Sequence, residues 1–91
     1  MAKWLIVAEE MVEVEGGPAQ LQVKTLQSLG ELDRPFALKR LQDEAKKYTP
    51  QALQGASKAI CRRHGIDDEF LIVARDRKGY APCTVRLLED V

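Results

Sequence analysis

The sequence predicts an α+β domain with the element order β-β-α-α-β-β, in which two helices pack on one face of a four-stranded mixed or antiparallel sheet. Three observations predict this fold. Residues 4–8 and residues 70–74 form short, nearly unbroken apolar runs, which are typical of strands buried on both faces. A basic stretch with helical periodicity lies between the two runs. We expect the two runs to be neighbours in the sheet.

The length and composition indicate one small domain spanning residues 1–91. A chain of 91 residues with 45% apolar side chains is near the lower limit for a self-sufficient core, so a partner or a second copy is expected. No apolar run approaches the ~20 residues that span a bilayer, and no secretory signal is evident. We therefore expect a cytoplasmic protein that does not enter membranes and keeps Cys61 and Cys83 as free thiols.

The first element is predicted to be a hairpin. Even positions from Trp4 to Val14 are apolar except Glu10, and alternation resumes at residues 19–23 after Gly16, Gly17 and Pro18. A connection of two or four residues would place Val12 and Val14 opposite apolar partners. A helix over residues 18–29 that ends at Gly30 remains the alternative.

Two helices are predicted in the middle of the chain. Asp33 and Pro35 are typical of a helix start, and Leu38, Leu41, Ala45 and Tyr48 follow at helical spacing, which predicts a helix over residues 34–48. Thr49 and Pro50 repeat the start signal, so a second helix is predicted from residue 50 to Gly65.

The last third is predicted to be a second hairpin. Residues 70–74 form its first strand, and Cys83, Val85 and Leu87 alternate with polar residues in its second. Because Pro82 cannot donate a ladder hydrogen bond, we expect that second strand at a sheet edge or with a bulge.

The predicted architecture leaves apolar surface uncovered, because two helices can cover only one face of the sheet. The remaining positions, represented by Leu5, Val7, Leu71 and Val73, are predicted to form an exposed patch, and such patches mark association sites. The principal functional hypothesis is therefore a non-enzymatic interaction or dimerisation module, with a second copy or another protein as its partner.

The charge distribution supports an alternative hypothesis of nucleic-acid binding. Residues 34–65 carry eight basic and two acidic side chains, whereas residues 1–33 carry two basic and six acidic. A basic second helix with Lys58, Arg62 and Arg63, and a basic hairpin tip with Arg77 and Lys78, could contact phosphates. Cations at a helix C-terminus also have a purely structural role.

Catalytic and metal-binding chemistry is not predicted. Cys61 and His64 are three residues apart on the predicted helix, and Cys83 could join them, but a fourth zinc ligand is not visible. The same Cys and His lack a third group to form a nucleophilic site. We assign no catalytic residue, metal or cofactor, and expect no enzymatic activity.

Overall fold

The computed structural model describes residues 2–50, 53, 57–75 and 83–91. They form one five-stranded sheet and one helix. Every pair of neighbouring strands is antiparallel, and the spatial order is β2-β1-β5-β4-β3. The elements in chain order are β1 (Ala2–Val12), β2 (Gln20–Leu32), α1 (Arg34–Lys47), β3 (Lys58–Cys61), β4 (Glu69–Ala74) and β5 (Cys83–Asp90).

The predicted fold of four strands and two helices is wrong, because part of the predicted second helix is a strand. Lys58–Cys61 pairs with β4, and Ile60 lies opposite Ile72. This pairing gives backbone partners to the outer side of β4, an apolar strand that would otherwise be an unprotected sheet edge. Tertiary pairing therefore outweighs the local helix signals at residues 58–61.

The two apolar runs are not neighbours, contrary to expectation. Strand β5 lies between β1 and β4, with Val85 opposite both Ala8 and Phe70. Each apolar run still has a strand on both sides, so both runs are interior strands of the sheet. The expected edge position of the last strand is also wrong: β5 is central, and it begins at Cys83, after the proline.

The prediction of the first helix is confirmed at Arg34–Lys47. Ala37, Leu41 and Ala45 are fully buried, a spacing of four residues that keeps them on one side of the helix. Asp33 caps the start through its backbone carbonyl, which accepts hydrogen bonds from the amides of Phe36 and Ala37 at 3.1 Å. Among the described residues the Asp33 side chain, which is suited to cap a helix start, accepts no hydrogen bond from a helix amide.

The helix gives the sheet two different faces. We call the side that packs on α1 the core face; its fully buried side chains include Ile6, Ile72 and Val85. We call the opposite side the open face, because no helix or strand among the described residues packs on it. Nowhere in residues 2–50, 53, 57–75 and 83–91 is there a helix long and apolar enough to cross a bilayer.

Strand β2 resolves the choice between strand and helix at residues 18–29. It pairs with β1 over its whole length, with register shifts opposite the Trp4/Leu5 and Ile6/Val7 steps. At these bulges β2 carries one extra residue each time, so that Leu26 and Leu29, three residues apart, both pack against the core. The spacing that resembles a helix is therefore a bulged strand. Gly30 has a φ of +70°, which glycine adopts readily.

Candidate interaction surface

The four residues predicted as a partner interface share the open face but do not form one patch. Leu5 and Val7 lie on β1, and Leu71 and Val73 lie on β4. Strand β5 separates the two pairs, with Arg86 opposite Val7. Val7 is only 4% exposed, and the other three are partly buried. The continuous apolar surface expected from adjacent runs is thus interrupted.

An ionic network occupies the centre of the open face. Arg86 Nη1 lies 3.1 Å from Glu9 Oε1, and Arg86 Nη2 lies 3.1 Å from Glu69 Oε2. The remaining oxygen of Glu69 is buried, has no hydrogen-bond donor among the described residues, and lies 3.7 Å from Arg63 Nε. Two cations and two carboxylates therefore balance each other within one chain.

A cluster of exposed apolar side chains lies on this face at the end of the first hairpin. Met11, Leu21 and Val23 are 42%, 60% and 59% exposed. Met11 is opposite Leu21, and Val23 is opposite Glu9, so all three project from the open face. We call Met11, Leu21 and Val23 the hairpin patch.

The sheet narrows to two strands at the hairpin patch. In the described residues the pairing of β1 with β5 ends at Glu9 and Thr84, whereas its pairing with β2 continues to Val12 and Gln20. The patch side chains therefore have fewer same-face neighbours than Val7 has.

The sequence interpretation missed the hairpin patch because it placed Leu21 and Val23 on the core face. It assumed a connection of two or four residues, but Val12 pairs with Gln20, which leaves seven residues, 13–19, between the strands. Compared with a connection of two or four residues, a connection with an odd number of residues places every residue of the second strand on the opposite face. The sequence signal for this register is Met11. It is an apolar residue among the otherwise acidic odd positions from Glu9 to Glu15, and it lies opposite Leu21.

The basic residues predicted to contact nucleic acid are engaged within the chain where they are described. The ammonium of Lys58 donates to the carbonyl oxygen of Tyr48 at 2.7 Å. The guanidinium of Arg62 lies 4.9 Å from the centre of the Phe70 ring, and Arg63 faces Glu69. Of these three residues, Lys58 contacts the C-terminus of α1, which is the structural role expected for such cations, whereas Arg62 and Arg63 follow strand β3 and do not lie at a helix end. Arg77 and Lys78 lie outside the described residues.

A polar cluster lies at the edge of the core face. The hydroxyl of Tyr48 donates to Glu10 Oε1 at 2.5 Å, which places the one acidic residue in the apolar face of β1 beside a donor. Burial raises the pKa of Tyr48 above its ordinary value, and the hydrogen bond to Glu10 adds to this shift. Burial, followed by the charges of Glu10 and Glu9, raises the pKa of Cys83 to about 12. The Cys83 thiol is therefore protonated and unreactive near neutral pH.

Cys61 and His64 do not share a helix, because Cys61 is the last residue of β3 and His64 lies in the following turn. The described residues contain no group of three or more His, Cys, Asp and Glu side chains that could hold a metal ion.

Comparison of the chain with protein-family models, with curated proteins and with solved structures finds no match in any of the three.

Proposed function

We propose that this protein is a non-enzymatic interaction module that associates with a second copy at its first hairpin, where the hairpin patch adjoins the edge strand β2. The hairpin patch is the observation that carries the proposal: three exposed apolar side chains adjoin one another on a face that no described element covers. Exposed apolar clusters of this kind mark association sites.

The charges beside the hairpin patch favour a second copy as the occupant. Glu9, the neighbour of Val23, is already paired with Arg86, so two copies can approach without opposing free charges at this point.

Light scattering coupled to size-exclusion chromatography, from micromolar to millimolar concentration, tests this function. We expect the mass to rise from that of one chain to that of two. The Leu21→Gln variant should stay monomeric over the same range, because a buried apolar contact is replaced by an amide.

The matched control is Phe36→Gln, since Phe36 is 61% exposed, like Leu21 at 60%, but lies on α1. This variant should associate as the natural sequence does. A natural chain that stays monomeric at millimolar concentration would contradict the proposed function, as would equal loss of association in both variants.

A further inference from the structure

Next to the hairpin patch, strand β2 presents a sheet edge with which no other strand of the described residues pairs. It is the outermost strand on its side, and all residues from 20 to 25 are exposed. This segment contains neither proline nor glycine and has no bulge in its pairing with β1. Its outward backbone amides and carbonyls are therefore available to another strand.

The two edges of the sheet differ in this respect. At the other edge, β3 has only four residues, a length typical of an edge that resists further pairing. Within β2, the bulges at Leu26 and Leu29 distort the ladder beyond Thr25. The usable edge is therefore limited to residues 20–25, between the connection and the first bulge.

We infer that two copies join through β2 to form one continuous ten-stranded sheet. The two β2 strands run antiparallel, and the two-fold axis passes between Gln22 of one copy and Gln22 of the other. This inference rests on the proposed function and specifies the contact by which the second copy binds. A two-fold axis perpendicular to the sheet requires that each residue pair with one on the same face, so only a few registers are possible.

The side chains of residues 20–25 favour the register centred on Gln22. In it, Leu21 faces Val23 of the second copy, and Gln20 faces Lys24, so apolar residues meet each other and the single charge meets an amide. A centre at Lys24 would oppose two like charges. A centre at Val23 would place Leu21 against Thr25 and bring the Leu26 bulge into the ladder.

This register also joins the hairpin patches of the two copies. Since Met11 is opposite Leu21 within one chain, the row across the interface runs from Met11 through Leu21 to Val23 of the second copy. The same row repeats in reverse across the two-fold axis. Two separate clusters thereby become one apolar surface at the centre of the joined sheet.

Disulfide formation at the axis tests the register. A Gln22→Cys variant, made with Cys61→Ser to remove the exposed native thiol, would place two introduced thiols directly opposite each other. Their Cα atoms would be about 5 Å apart, which a disulfide can span. We expect nearly complete covalent dimer under mild oxidation, which nonreducing electrophoresis would show.

Gln20→Cys in the same background is the matched control. Gln20 is also an exposed glutamine on the same face of β2, but two copies of residue 20 would be separated by four residue steps, about 14 Å. It should form little covalent dimer alone. Mixed with Lys24→Cys it should cross-link, because residues 20 and 24 are paired.

Each outcome separates the two proposals. Association of the natural chain with no preference for Gln22→Cys over Gln20→Cys would overturn the register while leaving the proposed function standing. Absence of association in the natural chain would overturn both. Circular dichroism of each variant, expected to match the natural chain because both glutamines are exposed, shows that the fold is retained.

Discussion

The ammonium of Lys58 donates to the carbonyl oxygen of Tyr48 at 2.7 Å, and this bond ties strand β3 to the end of α1. The same ammonium also lies 3.4 Å from the carbonyl oxygen of Lys46 and from Thr49 Oγ1. A positive charge at these carbonyls satisfies free acceptors and opposes the negative end of the helix dipole.

Replacing Lys58 by Met should lower the free energy of unfolding by about 1 kcal/mol, because the carbonyls at the end of α1 lose a charged donor. Urea denaturation measures this change. Lys39→Met is the control, since Lys39 is exposed in the middle of the helix and its loss should have little effect. Equal stability of the two variants would show that the Lys58 contact contributes nothing.

Replacing Arg86 by Met should lower the free energy of unfolding by about 2 kcal/mol. Glu69 is 7% exposed and would keep a buried charge without its principal cation. The cost should be smaller than for a fully buried pair, because the Arg86 side chain is 39% exposed.

The double variant Arg86→Met with Glu69→Met should recover much of that loss, because it removes the unpaired charge along with its partner. A double-mutant cycle by urea denaturation measures the coupling between the two residues. Additive effects of the two single changes would contradict the structural account of the network.

Stability should fall at alkaline pH because of Cys83. Its folded-state pKa of about 12 exceeds its ordinary value of 9.0, so the unfolded chain releases the thiol proton first. The stabilisation is complete below about pH 9 and is lost progressively as the pH rises towards about 12. The raised pKa of Tyr48 acts in the same direction.

Urea denaturation at a series of pH values should therefore show a decline in the free energy of unfolding that begins near pH 9. In Cys83→Ala the decline should be shallower, although stability at neutral pH also falls because a buried group is removed. An unchanged slope in this variant would exclude Cys83 as a source of the pH dependence.

The two thiols should react at very different rates. Cys61 is exposed, whereas Cys83 is 2% exposed with a raised pKa. Alkylation at neutral pH, followed by mass spectrometry, should show rapid addition of one label at Cys61 and labelling of Cys83 only in denaturant. Simultaneous labelling of both thiols in the native protein would contradict the burial of Cys83.

The extent to which this fold follows from the sequence depends on whether local signals agree with tertiary pairing. At residues 34–47 they agree: Pro35 is suited to a first turn, and Leu41 and Ala45 recur at a helical interval, so the helix is predictable. At residues 58–61 they conflict. The partner of Ile60 is Ile72 on another strand, and nothing local identifies that partner.

The site was harder to predict than the fold. Its position depends on whether the connection between β1 and β2 has an odd or an even number of residues. The residues 13–19 contain Gly16, Gly17 and Pro18, which indicate a turn but not its length. A one-residue difference decides whether Leu21 faces α1 or solvent. The apolar character of Leu21 and Val23 was evident, but the face on which they lie was not.

The bulge at Leu26 has a consequence for how the hairpin can change. Because the extra residue resets the alternation there, the outer half of β2 takes its orientation from residues 13–19, while the inner half follows the leucines under the helix. Residues 11–25, which form the end of the hairpin, can therefore change in sequence independently of the core. Their specificity could be rewritten, by evolution or in the laboratory, with little disturbance to the interior.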